Sequence, residues 1–248
     1  MNPVAFKIFG IEIMWYGVLI SAGLLLGVLV ALRECRRVGF KEDNLLDFLL
    51  IAIPSAIVGA RAYYVIFSWD YYSMNPSEII NTRNGGLAIH GALIAGVIAG
   101  ILFCRKRKIN VLQLLDIVIP SVALGQSIGR WGNYINQEAF GGPTDLPWGI
   151  VVNGQKVHPT FLYESIIDFA IFIFLMWFRK NRKATHGQIF ALYLILYSAG
   201  RFFVEGLRTD SLMFFGMRIA QIVSIGSIIA GIVLWFYLKN EKNKEILH

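Results

Sequence analysis

Long apolar runs alternate with short polar segments along the chain. Seven runs are long enough to cross the hydrocarbon core of a bilayer as helices, which takes about 17 to 25 residues each, and they cover about residues 13–32, 45–67, 87–103, 111–128, 161–178, 188–204 and 217–238. The third and sixth runs are short and carry polar residues. The pattern predicts an all-α integral membrane protein, a bundle of about seven transmembrane helices.

Lysine and arginine are unevenly distributed between the connections. The connections after the first, third and fifth runs each hold four of them, whereas the alternate segments hold only Lys7, Arg83, Arg130, Lys156 and Arg208. Because basic residues mark the cytoplasmic side of a membrane protein, we expect the N-terminus outside and the C-terminus in the cytoplasm. We expect residues 1–248 to form a single polytopic membrane domain, with extracytoplasmic segments at about 68–86 and 129–160.

The composition agrees with a membrane protein. Hydrophobic residues make up 56% of the chain and charged residues 16%, with a mean hydropathy of +0.59, which lies outside the range of soluble domains. The net charge of +7 comes from the cytoplasmic connections, where it sets topology and meets anionic lipid headgroups, so we expect no nucleic-acid partner. Cys35 and Cys104 lie at predicted cytoplasmic ends, where thiols stay reduced, and we interpret them as packing residues rather than a disulfide.

Polar residues gather at the predicted outer ends of five spans. Arg61 lies late in the second span, His90 begins the third, residues 130–138 follow the fourth, residues 158–164 lead into the fifth, and the sixth closes with Tyr197, Arg201, Glu205 and Arg208. The last four are spaced by four, four and three residues, so they form one stripe on a helix. Ionisable groups at membrane depth usually face a bundle interior or a wet cavity, which predicts a polar site at the outer face.

Two of these features also have purely structural interpretations. Arg201 and Glu205 alone would equally well form an ion pair that locks helices together. His90 lies in GGLAIHGALIAG, and a single histidine in an apolar run is more often a hydrogen-bonded packing residue, with Gly96 and Gly100 as a small-residue pair at a helix contact. Its position near arginines makes it a candidate base, because imidazole exchanges a proton near neutral pH.

The connections add three local predictions. Residues 148–159 contain two β-prone runs around Asn153 and Gly154, which predicts a small extracytoplasmic β-hairpin. Residues 70–86 begin with aromatic residues and contain Asn75-Pro76 as a helix start, so they form either an interfacial helix or a plain surface loop. Asp116 lies early in the fourth span, and we expect it to satisfy freed backbone or a neighbouring helix rather than to do chemistry.

Arginines that converge at the outer leaflet indicate an anionic ligand, and guanidinium groups match phosphate in a bidentate way. At that depth the obvious anion is a phospholipid headgroup, and a neutral histidine beside it would take a proton from a nucleophile. The residues therefore predict an enzyme that acts on a phospholipid. Phosphate loops, metal-spaced His and Cys clusters and the GxSxG elbow are absent from the sequence, so we predict no cofactor and no metal site.

The polar stretch GRWGNYINQEAFGG strongly resembles the signature of the prolipoprotein diacylglyceryl transferase family. MWYG, GGLAIHG, HPTFLYE and GRFFVEGLR resemble further blocks of that family, in the same order, so the resemblance covers almost the whole chain. The resemblance implies an enzyme of the bacterial cell membrane that acts in lipoprotein maturation. It would transfer a diacylglyceryl group from phosphatidylglycerol to the thiol of the lipobox cysteine of a preprolipoprotein and release glycerol phosphate.

The resemblance also implies roles for single residues. His90, Arg130 and Arg201 match the family's catalytic positions, and Arg130 is also expected to bind the lipid. Further matches linked to activity or lipid binding are Tyr16, Asn133, Glu138, Gly141, Tyr197 and Glu205. The polar cluster adds Asn136, Arg208 and Arg61 as candidate substrate-binding residues. Two positions depart from the family pattern, since Gln137 stands where glycine is common and Ala92 where a second glycine often follows the histidine.

Two other classes of protein remain open at this point. A transporter for an anionic solute or lipid would carry charged residues on both sides of the membrane midplane and paired broken helices, whereas here the charges collect at one face. A receptor with seven helices would need a ligand pocket but no residue for proton transfer.

Overall fold

The computed structural model describes residues 3–82, 85–182, 184–209, 211–214 and 216–246. Arg83, which was part of the charge pattern, lies outside the described residues. Helices dominate, and the α-helices are α1 (Trp15–Val38), α2 (Glu42–Phe67), α3 (Trp69–Met74), α4 (Ile89–Arg107), α5 (Val111–Asn136), α6 (Thr160–Asn181), α7 (Gln188–Glu205) and α8 (Ile219–Ile246).

The long helices lie at the positions of the predicted spans. Among the described residues, six of them are long and apolar enough to cross a membrane, namely α1, α2, α4, α5, α6 and α8. Helix α7 also has 18 residues and carries the polar stripe, and it is not among these six. The all-α, multi-pass membrane fold is thus confirmed, while the number of seven spans and their orientation stay predictions.

Three antiparallel hairpins complete the described secondary structure: β1 (Val4–Ile8) with β2 (Ile11–Met14), β3 (Ile150–Val152) with β4 (Gln155–Val157), and β5 (Met213–Phe214) with β6 (Met217–Arg218). The second is the predicted hairpin, and its turn residues Asn153 and Gly154 both have positive φ, 49° and 80°, as a tight turn between twisted strands requires. The first and third hairpins were not predicted.

Two short helices form the connection after α2. Helix α3 comes first, and a 3-10 helix (Pro76–Ile79) begins at the proline that marked the predicted helix start. The segment is therefore partly helical, and its position at the membrane interface stays a prediction.

Contacts divide the chain into two compact units, residues 34–114 and residues 1–33 with 115–248. The smaller unit is built on α2 and α4, which cross at two glycines. A Cβ added to Gly91 would lie 2.2 Å from the carbonyl oxygen of Gly59 and 2.4 Å from Cβ of Tyr63, so only glycine permits this approach. Gly96 and Gly100, which were predicted as a small-residue pair at a helix contact, do not both lie in a contact. A Cβ on Gly100 would lie against Phe48, whereas a Cβ on Gly96 would meet nothing described within 4 Å.

Gly91→Ala is expected to lower the free energy of unfolding by about 1–3 kcal/mol, the usual result of overpacking a tight contact. The methyl group would force α2 and α4 apart at Gly59. Thermal unfolding in detergent micelles measures the effect, with Gly96→Ala as a matched control that should be neutral or slightly stabilising because alanine favours helix. A melting temperature for Gly91→Ala equal to that of Gly96→Ala would contradict the close crossing.

The larger unit packs α5, α6 and α7 around a core of Ile119, Ala123, Ile171, Leu175, Ile189 and Tyr193. Asp116 ties two of these helices together, because its Oδ2 accepts a bond from the backbone N–H of Gly187 at 2.7 Å and its Oδ1 one from Phe190 at 2.9 Å. The first backbone N–H groups of a helix have no partner within the helix, and Asp116 accepts hydrogen bonds from two such groups at the start of α7. The prediction that Asp116 satisfies a neighbouring helix is confirmed.

The single polytopic domain and the membrane side of residues 68–86 and 129–160 stay predictions.

Candidate active site

An ionic cluster joins the ends of three helices in the larger unit. Arg201 of α7 donates through Nη1 to Glu164 of α6, and its Nη2 lies 2.6 Å from Oε2 of Glu205. Arg130 of α5 reaches the other oxygen of the same Glu164, with Nη1 3.3 Å from Oε2, and its Nε lies 4.0 Å from Oδ2 of Asp168. Glu164 therefore bridges two guanidinium groups that come from different helices.

Helical spacing explains how the cluster assembles. Glu164 and Asp168 are four residues apart on α6, and Arg201 and Glu205 four apart on α7, so each pair shares one helix face. Packing of α6 against α7 brings the two faces together, and Arg130 joins them from the last turns of α5.

Burial differs between the two signs of charge. The side chains of Glu164 and Asp168 are 5% and 4% exposed, whereas those of Arg130 and Arg201 keep 22% and 21% of their surface exposed. The carboxylates are thus buried more deeply than the arginine side chains. A small cavity of about 10 Å³ opens among these side chains, Tyr197 and Gly200, about the room that one water needs.

Tyr197 takes its place in the cluster through the predicted stripe on α7. Its ring stacks on Tyr193 at a centroid distance of 5.3 Å, and the hydroxyl of Tyr193 donates to Oε1 of Gln126 at 2.8 Å. Tyr197, Arg201 and Glu205 all lie on α7, at the predicted spacing of four residues. Arg208 lies beyond Glu205, the last residue of α7, so the prediction that it continues the helical stripe is wrong. Its backbone instead forms a β-bridge with Gly141.

The amides of the signature stretch form a second group. Asn133 and Asn136 both donate to Oε1 of Glu138, at 3.2 and 3.3 Å, and the backbone N–H of Glu138 donates to the carbonyl of Asn133. Gln137 has φ 53°, the left-handed conformation that costs an L-residue about 1–2 kcal/mol and costs glycine nothing. Glycine would adopt this conformation without strain, which agrees with the glycine that the resemblance leads us to expect at this position.

Two signature glycines are required by close contacts. The ring of Tyr16, at the start of α1, covers Gly132, where an added Cβ would lie 2.4 Å from Cδ2 of the tyrosine. The backbone N–H of Gly141 donates to the carbonyl of His158 at 2.9 Å, and a Cβ there would lie 2.7 Å from Cβ of His158 and 2.9 Å from the carbonyl oxygen of Leu207. Tyr16 and Gly141 thus shape the backbone around the signature stretch.

We expect Gly141→Ala to reduce both stability and catalytic turnover, because the methyl group would part the signature stretch from the segment after α7. Gly142→Ala is a matched control one residue away, since its Cβ would meet nothing described closer than 3.8 Å. Overpacking at Gly141 should cost about 1–3 kcal/mol, measured by thermal unfolding, and the control should stay near the wild type. Equal melting temperatures for the two variants would show that the contact at Gly141 relaxes without cost.

Arg61 and His90 belong to the smaller unit. Arg61 is buried and donates to the carbonyls of Glu78, Ile79, Gly85 and Gly86 at 2.6 to 3.2 Å. The guanidinium group therefore holds the connection after α2 in place, and a direct part in substrate binding stays a prediction.

His90 is the second residue of α4, and its imidazole is exposed. The ring lies 6.0 Å from that of Tyr63, measured between centroids. This exposure is unlike that of a buried packing residue. The role of His90 as a base stays a prediction.

Glu164 fell within the polar segment 158–164 that was predicted at the outer face, but it was not assigned a role in the site, and Asp168 was missed. Glu164 stands in the HPTFLYE block, and two acidic residues four apart in an apolar run were a usable signal. Their partners lie more than thirty residues away along the chain, so pairing could not be read from local spacing.

The fold and the site define a multi-pass α-helical membrane protein with a polar centre of paired arginines and buried carboxylates. The sequence model of the prolipoprotein diacylglyceryl transferase family matches residues 3–237. The chain belongs to this family, which confirms the resemblance seen in its motifs.

Curated relatives match over nearly their whole length. The chain is 56% identical over 245 residues to a phosphatidylglycerol–prolipoprotein diacylglyceryl transferase of Clostridioides difficile, covering 99% of this chain and 98% of that protein. It is 56% identical over 241 residues to the protein of the same name from Finegoldia magna, covering 97% of each. It is 49% identical over 255 residues to that from Clostridium novyi, covering 99% and 98%.

Proposed function

We propose that this chain transfers the diacylglyceryl group of phosphatidylglycerol to the thiol of a lipobox cysteine in a bacterial prolipoprotein. The product is a thioether, and glycerol phosphate is released. Family membership over residues 3–237 and the names of relatives that match end to end support this activity. The protein is accordingly a transferase of the bacterial cell membrane.

The observation that carries the site proposal is the sharing of one carboxylate by two guanidinium groups. Arg130 and Arg201 bind different oxygens of Glu164, an arrangement that fits any planar or tetrahedral anion with two acceptor oxygens. The side chains of both arginines keep about a fifth of their surface exposed, whereas that of Glu164 is 5% exposed. We propose that the exposed part includes an edge of each guanidinium group and that the lipid phosphate binds there.

The reaction needs a thiolate, since a thiol is a weak nucleophile until it is ionised. We propose that His90 accepts the thiol proton, directly or through water. The thiolate sulfur then attacks the glyceryl carbon that bears the phosphate ester, the C–S bond forms, and the C–O bond breaks with its electron pair moving to the phosphate oxygen. Arg130 and Arg201 stabilise the negative charge that grows on the leaving phosphate.

The acceptor thiol comes from the second substrate. Cys35 and Cys104 are fully buried, with 0% exposure, and a buried thiol does not reach an incoming lipid. The lipobox cysteine of the prolipoprotein fills this role.

We place the site at the outer leaflet, on the side that the charge distribution assigns to the N-terminus. The residues that we propose to take part in substrate binding are Arg130, Tyr16, Asn133, Asn136, Glu138, Gly141, Tyr197, Glu205 and Arg208 of the larger unit and Arg61 of the smaller unit. Among them, Gly141 and Arg61 act through the backbone segments that they hold.

The test incubates the purified protein with phosphatidylglycerol and a lipobox peptide and weighs the peptide by mass spectrometry. We expect a gain of one diacylglyceryl unit, and no gain on a peptide with Cys→Ser, because a hydroxyl is far less acidic than a thiol. No gain on the cysteine peptide would overturn the activity. An equal rate with His90→Gln would remove His90 from the chemistry and leave the activity itself in place.

A further inference from the structure

The β1–β2 hairpin presents two chemically different faces. Side chains alternate across a strand, and the register pairs Phe6 with Ile13 and Lys7 with Glu12. Lys7 and Glu12 form an ion pair of 2.6 Å on one face. Phe6 and Ile8 lie on the opposite face and are 49% and 48% exposed, so this ribbon has an apolar side that the described part of the chain leaves about half exposed.

The tip of the hairpin is an exposed aromatic residue. Phe9 and Gly10 form the turn with φ 48° and 80°, and the side chain of Phe9 is fully exposed at 101%. A bulky residue at positive φ is uncommon, since Asn, Asp and Gly normally fill this position. The β3–β4 hairpin, with Asn153 and Gly154 at nearly the same angles, has the usual polar tip.

The hairpin is continuous with a membrane span. Strand β2 ends at Met14 and α1 begins at Trp15, whose backbone N–H donates to the carbonyl of Pro3 at 2.9 Å. Trp15 and Tyr16 are exposed and are the first two residues of α1. Aromatic residues at the end of a span typically mark the membrane interface. A strand of four residues extends only about 14 Å, so the whole ribbon lies within reach of the headgroup layer.

We propose that the β1–β2 hairpin is a membrane-interface anchor whose occupant is the lipid of the leaflet in which α1 begins. Phe9 and the Phe6–Ile8 face enter the boundary between headgroups and acyl chains, as the apolar side of an interfacial element does. The Lys7–Glu12 pair faces the headgroups and water. The anchor fixes the depth of the first turn of α1, where Tyr16 covers Gly132 of the signature stretch. This role does not depend on the reaction proposed above.

Site-directed spin labelling of the full chain in phosphatidylglycerol-containing nanodiscs tests the anchor. Cys35 and Cys104 are buried, so an introduced cysteine is expected to be the accessible thiol. Wild-type protein treated with the same spin label should stay unlabelled, which verifies this. Phe9→Cys reports on the anchor, and Asn153→Cys is the matched control at the other tight turn. The measurement is the accessibility of each nitroxide to oxygen, which concentrates in lipid, relative to a water-soluble nickel complex.

We expect a several-fold higher oxygen-to-nickel ratio at position 9 than at position 153. Lys7→Cys, on the polar face of the same ribbon, should give a ratio closer to that of position 153. Equal ratios at positions 9 and 153, with melting temperatures equal to that of the wild type, would overturn the anchor. As a second readout, an environment-sensitive dye in nanodiscs should emit at a shorter wavelength at Phe9→Cys than at Asn153→Cys, and equal emission at the two positions would also count against the anchor.

Discussion

Replacing Arg201 with alanine is expected to lower kcat/KM for diacylglyceryl transfer by about 10²–10³-fold, or about 3–4 kcal/mol of transition-state stabilisation, the usual loss when one preorganised donor is removed from an anion site. Arg201 forms ion pairs with Glu164 and Glu205, so its guanidinium group is held in place before the lipid arrives. The measurement is the rate of peptide lipidation at subsaturating phosphatidylglycerol. The loss should fall on kcat as well as on KM, because the charge on phosphate grows as the C–O bond breaks.

Two further variants separate this effect from a general loss of a basic residue. Arg36→Ala removes an arginine from an exposed ion pair with Glu42, and exposed pairs contribute little, so its kcat/KM should match the wild type. Arg201→Lys keeps the charge but loses the fork that reaches two carboxylates, and an intermediate rate is expected. A kcat/KM for Arg201→Ala within threefold of the wild type, in a folded protein, would rule out a phosphate-stabilising role.

Features set by local periodicity were predictable from the sequence. The apolar runs locate the long helices, the spacing of Tyr197, Arg201 and Glu205 locates one helix face, and Asn153-Gly154 locates a hairpin turn. In each case a pattern of a few residues specifies the geometry, because helices, strands and tight turns have fixed periods and dihedral angles.

Features set by distant partners were not predictable. The bridging role of Glu164 depends on how α5, α6 and α7 pack, and no spacing within one helix encodes that arrangement. The β1–β2 hairpin escaped notice for another reason, since its turn carries Phe9 where a polar residue is the usual signal. Arg61 was expected among ligand-binding residues on its charge alone, whereas its carbonyl partners are backbone groups that a sequence does not display.

Glu164→Gln tests whether the two arginines form an anion site on their exposed side, in front of the buried carboxylate. The substitution keeps the shape of the side chain but removes the charge shared by Arg130 and Arg201. Removing one partner of a buried ion pair typically costs about 3–5 kcal/mol, and the partial exposure of both guanidinium groups places this variant near the lower value. Chemical unfolding in mixed micelles should therefore show a loss of about 3 kcal/mol.

The distinguishing result is rescue by an added anion. Once Glu164 is neutral, inorganic phosphate or glycerol phosphate can bridge the two guanidinium groups, and a ligand that binds only the folded state stabilises it by about 2.7 kcal/mol at 100 times its Kd. Phosphate should therefore raise the melting temperature of Glu164→Gln more than that of the wild type, and chloride at the same ionic strength should not. Glu42→Gln, in the exposed pair with Arg36, should show neither the loss nor the rescue. Equal responses of Glu164→Gln and the wild type to phosphate would mean that the arginines serve the helix contacts alone, because two guanidinium groups at an exposed anion site must bind phosphate more strongly once the negative charge behind them is gone.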